Sequence, residues 1–312
     1  MRRTNKVVVL AAVGALVLAA CGDDDEGDDT TPAGSDAPGT TGGAATTMAP
    51  GTTMAPGTTG PDGATMDCQP IEDGVLTVVT SLPGPNFWGS TAAETDPDDI
   101  SSGIEYDLAN LVAEACGLEM EFRNESFDAI VAGQIADDSY DIIFSQVTIT
   151  EERDEVVDFS VPYFKADQGL LVEVGTEIPD FETLKGLNVG VQAGTTAEFY
   201  LLEVPEWAID TEPQSFPDLI SAYQALSAGQ VDVIIIDTPI NLGQAAQSDG
   251  ELEVVGQIAT GEEYGAIYPE GSPRAAIFDE IIGGLVEDGT VNELIAQYLG
   301  GDPSTVPFIE LG

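Results

Sequence analysis

The stretch Val231-Asp-Val-Ile-Ile-Ile236 is almost entirely β-branched. Such a run is expected of a central strand buried on both faces, as in a parallel sheet covered by helices. Asp237-Thr238-Pro239 follows, where Thr238 is suited to cap a helix and Pro239 to take its first position. Similar strand signals recur at Leu76 to Thr80, Glu119 to Arg123, Asp141 to Ser145, Leu170 to Val174, Leu187 to Val191 and Leu252 to Ile258. Between them lie helical patterns: Ile104 to Ala115, a segment entered at Ser126 with Phe127, Ile130, Val131 and Ile135 on one face, Ala197 to Glu203, and Pro217 to Ala228. Two more helices, Ala275 to Glu287 and Val291 to Leu299, close the chain. Strands alternating with helices predict an α/β fold with parallel sheets. The helix-to-strand passage opened by Phe127-Asp128 is echoed by Phe216-Pro-Asp218, a weak internal repeat that points to two lobes built alike.

The N-terminus is a different kind of sequence. Arg2, Arg3 and Lys6 precede an apolar run, Val7 to Ala20, too short for a comfortable membrane span. This reads as a signal peptide over residues 1–20. Its end, Leu18-Ala-Ala-Cys21, resembles the bacterial lipobox, which implies cleavage before Cys21 and lipid attachment to its sulfur. Residues 21–67 hold an Asp/Glu run and a Thr/Pro/Gly/Ala tract repeating Thr-Thr-Met-Ala-Pro-Gly. Almost no large apolar side chains are present to offset the entropy of ordering, so a disordered tether is expected. The Asp spacing does not match a calcium loop. A coil of about 45 residues reaches roughly 35–40 Å, enough to hold a soluble domain off a membrane.

Charge narrows the partners. The chain has 8 Lys plus Arg against 56 Asp plus Glu, a formal net charge of −48. A polyanion would be repelled, so no nucleic-acid partner is expected. His is absent, and the three Cys are too few for a zinc cage; no metal and no cofactor are expected. Cys68 precedes the first strand and Cys116 ends the first helix, points that fall on one end of a βαβ unit. In an exported protein a Cys68–Cys116 disulfide is predicted, against two unpaired thiols.

Three of the eight cations fall in the leader, leaving Arg123, Arg153, Lys165, Lys185 and Arg274. Arg153 sits just after a predicted strand end, past Ser145, Gln146 and Thr148, with Thr150 placed as a helix N-cap. A cation at a helix start opposes the macrodipole, which points either to an anionic ligand or to an ion pair with Glu151, Glu152, Asp154 or Glu155. Two other polar clusters lie at strand ends, where open α/β sheets bind ligands: Ala193-Gly-Thr195-Thr196 and Asp237. Arg153 with Thr195 for a carboxylate and Asp237 for an ammonium would form a zwitterion site, each charge-assisted bond contributing roughly 1.5–3 kcal/mol. Phe127, Phe87 or Trp88 would pack on the ligand's side chain, or else belong to the core.

From Leu76 to Leu299 the chain resembles the bacterial extracellular solute-binding proteins of family 3, the polar amino-acid uptake class. Gly103-Ile-Glu-Tyr-Asp-Leu108, Thr148-Ile-Thr-Glu-Glu-Arg153, Asp158-Phe-Ser160, Gln192-Ala-Gly-Thr195, Asp237-Thr-Pro239 and Gly289-Thr-Val-Asn-Glu293 carry the likeness. It implies a two-lobed periplasmic-binding-protein-like (type II) fold with the ligand cleft between lobes. Lobe 1 would comprise residues 68–165 and 265–312, and lobe 2 residues 166–264. Arg153, Thr148 and the Thr195 amide would hold the α-carboxylate, Asp237 the α-ammonium, and Phe127 would stack on the ligand, with Gln146, Gln192 and Trp88 completing the site. Two departures stand out: the usual aromatic after the first strand falls near Gly84, and Gln192 stands where some members place Lys. With no spare cation, a neutral or basic amino acid is favoured.

The expected function is a lipid-anchored, monomeric substrate-binding protein of an ABC importer. It would sit on the extracytoplasmic face of the membrane and deliver an amino acid to a permease. The alternative is an exported enzyme on the same scaffold, similar to cyclohexadienyl dehydratase. That would need an acid or base of shifted pKa, for which the sequence offers no dedicated candidate.

Overall fold

The structure, a computed structural model, describes residues 65–91, 94–299 and 301–312. The signal peptide, the lipobox Cys21 and all but the last residues of the tether lie outside the described residues.

The first lobe begins with β1 (Val75–Thr80). A loop then leads to α1 (Ile104–Cys116), which buries Ile104, Leu108 and Val112 at four-residue spacing. Each such side chain contributes roughly 1.5–3 kcal/mol by leaving water. Gly117 ends the helix in the left-handed region at φ 68°, where a residue without Cβ is unstrained. β2 (Glu119–Asn124), α2 (Phe127–Val131), β3 (Ile142–Ile143) and β4 (Asp158–Phe159) follow. The chain then enters the second lobe along β5 (Phe164–Glu173). There it forms α3 (Phe181–Lys185), β6 (Val189–Gln192), α4 (Thr196–Glu203), β7 (Gln214–Phe216), α5 (Leu219–Ser227), β8 (Val233–Asp237) and α6 (Thr238–Gln247). It returns along β9 (Leu252–Tyr264) to β10 (Ile267–Tyr268), α7 (Ala275–Glu287) and α8 (Thr290–Tyr298).

The two lobes repeat one sheet plan. The first sheet runs β2-β1-β3-β10-β4 and the second β7-β6-β8-β5-β9. In each, three strands are parallel, the fourth runs antiparallel to them, and the fifth pairs antiparallel with the fourth. β8, the β-branched run, is buried at all five positions between β6 and β5, as its composition requires. α6 lies close on β5: a Cβ on Gly169 would stand 2.8 Å from Thr238 Cα, so only glycine fits there without displacement.

β5 and β9 pair side by side where the lobes meet, with Phe164 opposite Tyr264, Lys165 opposite Glu263 and Ala166 opposite Glu262. Phe164 and Tyr264 stack at 5.3 Å between ring centres, and Phe87 packs edge-on against both.

Three expectations are corrected. The stretch after Thr150 is a 3-10 turn (Arg153–Glu155), not an α-helix, so the macrodipole argument about Arg153 lapses; Thr150 Oγ1 does accept the Arg153 N–H at 3.2 Å. The helix expected to carry Phe127, Ile130, Val131 and Ile135 on one face stops at Val131 and gives way to a turn at Gly133, φ 62°. Residues after about 301 belong with the second lobe rather than the first. Ile309 is buried among Leu170, Val172 and Val233, and Gln257 of β9 exchanges backbone hydrogen bonds with Pro307 and Ile309. The chain therefore passes between the lobes a third time, just after α8.

Cys68 and Cys116 form the expected disulfide, Cα atoms 5.6 Å apart, tying the entry to β1 to the end of α1. Among the described residues no helix is long and apolar enough to cross a membrane.

Candidate functional site

The ends of β3, β6 and β8 converge on one cavity between the lobes. Phe127, Ser145, Gln146, Thr148 and Arg153 line it from the first lobe, with the loop Ser81-Leu82-Pro83. Gln192, Thr195, Thr196, Asp237, Leu219, Ile236 and Ile240 line it from the second. About 30 Å³ of the interior is open to the centre of a water molecule, room for roughly two waters. A wider space of about 1090 Å³ lies outside it, also bordered by Arg153 and Thr195, with Phe199 and Leu202 exposed on its rim.

Arg153 is 8% exposed. Its Nη1 donates to the Thr148 carbonyl at 2.7 Å and its Nη2 to the Gly194 carbonyl of the other lobe at 2.9 Å. The guanidinium centre lies 5.8 Å from the Phe127 ring centre, within cation–π range. Burial lowers its pKa, while Asp237 and Glu262 act in the opposite sense. Among the described residues the other four cations each form an ion pair: Arg123 with Glu125, Lys165 with Glu263, Lys185 with Glu182 and Arg274 with Asp141. Arg153 has no such pair, so the alternative of a local ion pair with its neighbouring acids is not what the fold does.

Asp237 stands across the cavity, 6% exposed, at the end of β8. It does not act as a side-chain cap for α6. Its oxygens accept from Gln168 Nε2 at 2.5 Å and from the Tyr264 hydroxyl. Burial and the nearby Glu262 push its pKa up to about 7, against the hydrogen bonds and Arg153, which lower it. Thr195 caps α4, its Oγ1 accepting from the Glu198 N–H at 3.3 Å and donating to the Gln192 carbonyl at 2.7 Å.

Gln146 is held in the left-handed region at φ 49°, which costs a non-glycine residue of the order of 1 kcal/mol. The compensation is Glu105, wholly buried in the first turn of α1. Its carboxylate accepts from the Gln146 N–H at 2.8 Å, the Gln146 side-chain amide, the Trp88 indole at 2.8 Å and the Tyr163 hydroxyl. Burial raises the Glu105 pKa to about 7 although these donors lower it.

Seven of the eight ligand-site expectations thus meet at one cavity: Arg153, Asp237, Thr148, Thr195, Gln146, Phe127 and Gln192. Trp88 does not. It is fully buried, bonded to Glu105 and the Phe144 carbonyl, and packed on Tyr106 and Phe122. Phe87 is likewise spent at the junction of β5 and β9. Near Gly84, where the family's usual aromatic would fall, the Gln146 side chain takes the space: a Cβ there would meet its Oε1 at 3.2 Å.

The sequence reading missed Gln168, Glu262, Tyr264 and Glu105. Gln168 left a trace: it interrupts the apolar face Ala166, Leu170, Val172 of β5. Glu262 left none in so acidic a chain. Among the described residues no group of three or more Cys, Asp or Glu side chains is placed to hold a metal ion.

Residues 91–301 match the bacterial extracellular solute-binding proteins, family 3. The L-cystine-binding protein TcyJ of Escherichia coli (strain K12) is 28% identical over 204 residues, 64% of this chain and 75% of that one. Among solved structures, an ancestral arginine-binding protein bound to glutamine superposes with a TM-score of 0.64 at 30% identity, covering 74% of this chain and 100% of that one. An ancestral amino acid-binding protein described as a precursor of cyclohexadienyl dehydratase gives 0.60 at 29% identity, covering 72% and 95%. Together with the repeated sheet plan, these make the fold the two-lobed type II periplasmic-binding architecture.

Proposed function

The chain belongs to the bacterial extracellular solute-binding proteins, family 3, and from that premise we propose that it binds an amino acid between its lobes and delivers it to the permease of an ABC importer. The observation that carries this reading is Arg153: a buried cation, held by two carbonyls from different lobes and facing a buried carboxylate across a small polar cavity. Carbonyls orient the guanidinium without neutralising it, so its charge is available to an incoming α-carboxylate, aided by Thr148 and Thr195. Asp237 receives the α-ammonium, and Phe127, Gln146 and Gln192 border the rest. The space inside is smaller than an amino acid, so entry requires the lobes to separate. Lipidation at Cys21 and the tether over 21–67 would keep a monomeric protein on the extracytoplasmic face near its permease. Lobe 1 would comprise 68–165 and 265 to about 300, and lobe 2 residues 166–264 with the C-terminal segment.

A thermal-shift screen of the protein against the amino acids tests this. A ligand with a dissociation constant near 1 μM, supplied at 1 mM, adds about 4 kcal/mol of stability. In a domain of this size that is a rise of roughly 8 °C. The rise is expected to vanish in Arg153→Ala and Asp237→Ala; no rise with any amino acid sinks the proposal.

The enzyme alternative would rest on Asp237, whose carboxyl, pushed up to about 7 by burial and Glu262, would be suited to proton transfer. Product formation from a prephenate-like substrate would establish it.

A further inference from the structure

Asp237 does not stand alone. Glu262, on β9 opposite Ala166, is 6% exposed, and its Oε2 accepts from Gln168 Nε2 at 2.6 Å and Thr260 Oγ1 at 3.2 Å. Gln168 Nε2 also reaches Asp237 Oδ1 at 2.5 Å and Thr196 Oγ1 at 3.2 Å. One amide nitrogen, with two hydrogens, thus serves three acceptors, two of them carboxylates. The carboxylates dictate the amide's orientation, because the flipped form would turn its oxygen toward them.

That orientation leaves Gln168 Oε1 buried with no donor. Glu262 Oε1 is buried too, with the Tyr200 hydroxyl beside its carboxylate. A buried acceptor without a donor costs free energy until one arrives. The charges do not balance either. Arg153 supplies one positive charge, and Asp237 and Glu262 two negative ones. A zwitterionic ligand adds nothing net and leaves an uncompensated buried anion; a ligand carrying one extra cation closes the balance. There is also room. A pocket of about 300 Å³ is bordered by Thr148, Thr150, Tyr200 and Glu262, and Thr148 borders the Arg153 cavity too.

Building on the amino-acid reading above, we propose that Glu262 is a specificity-determining residue that, with Gln168 Oε1, receives a second cationic group, so that the ligands are amino acids with an ammonium or guanidinium side chain. Gln168 is the positioning residue that keeps the two carboxylates apart. The raised pKa of Asp237 fits this picture, since a proton offsets the excess negative charge when no cation is present.

Isothermal titration of the full chain with L-arginine, L-lysine, L-citrulline and L-glutamine tests the proposal. Citrulline keeps the shape of arginine but carries a neutral urea, one terminal NH2 donor being replaced by a carbonyl acceptor. Arginine or lysine is expected to bind about 100-fold or more tighter than citrulline or glutamine. In Glu262→Gln that ratio is expected to fall to within about tenfold, through weaker binding of the cationic ligands, with the melting temperature of the empty protein recorded as a control. Citrulline or glutamine binding as tightly as arginine and lysine in the unaltered protein overturns the proposal and leaves the amino-acid reading standing. A ratio unchanged by Glu262→Gln overturns it too. If Glu262→Gln does not fold, the arginine-to-citrulline ratio of the unaltered protein decides by itself. Binding of none of the four, together with no response in the thermal-shift screen, overturns both readings.

Discussion

At the scale of the residue, the site is a set of buried charges held by neutral groups. Thr148 and Gly194 carbonyls hold Arg153; Gln168 and Tyr264 hold Asp237. Such charges are costly without a partner, so a ligand with complementary charge would relieve that cost on binding. The titration of Asp237 gives a signed prediction. In the empty cleft it binds its proton with a pKa of about 7, and Glu262, Arg153, Gln168 and Tyr264 are the groups that face it. An ammonium ligand requires the ionised form. Affinity is therefore complete above pH 7 and falls as the pH drops below it, approaching about tenfold per unit for one displaced proton. The stability of the empty protein moves the other way: Asp237 and Glu105, both carboxyls with a raised folded-state pKa, contribute stability at low pH that is lost as pH rises through about 7. Titrations and thermal melts between pH 5 and 8 should thus slope in opposite directions, and an affinity that does not fall below pH 7 would rule out Asp237 as the linked group. Arg153 was legible in the sequence because it is one of very few cations. Glu262 was hidden among 56 acidic residues, and only its burial distinguishes it.

At the scale of the element, the chain's patterns were most readable where burial is two-sided or strictly periodic. β8 is buried throughout, and α7 spans Ala275–Glu287 as its periodicity indicates. Short pieces were less legible. β3 pairs over only two residues; just before it the Asp141 N–H still donates to the Thr77 carbonyl of β1 at 2.8 Å, while its side chain accepts the N–H groups of Ile71 and Thr77. The 3-10 turn at Arg153 is closed by short local bonds, Asp154 N–H to the Thr150 carbonyl and Val156 N–H to the Arg153 carbonyl, while its guanidinium reaches Gly194 of the other lobe, a contact no local propensity records. The C-terminal segment shows the same limit: Ile309 and Leu311 form too short an alternation to read as an element, yet both pack on the second lobe's core. Its loss should matter. Ile309→Ala is expected to destabilise the protein by about 2–4 kcal/mol in denaturant unfolding. A change within a few tenths of a kcal/mol would mean the segment is not docked there.

At the scale of the whole molecule, two lobes of one plan share a junction of β5, β9 and a cluster of aromatic rings. The two-lobed plan was visible in the repeat of Phe127-Asp128 and Phe216-Pro-Asp218, whereas the lobe boundary near residue 301 depended on packing between distant segments. The Cys68–Cys116 link closes a span of 48 residues in the first lobe alone. Replacing both cysteines by serine should cost roughly 2–4 kcal/mol and lower the melting temperature by around 10 °C. An unchanged melting temperature on reduction would show that the link is not formed in the mature protein. The third passage of the chain has a mechanical consequence. Two strands lying side by side act as a strip, free to flex across its width and also to swivel along its length. A third strap, fastened to β9 at Gln257, leaves the flexing but opposes the swivel. The lobes are then geared to a single opening angle, and a spectroscopic ruler between Asp128 and Glu198 on opposite jaws would read the whole motion as one coordinate.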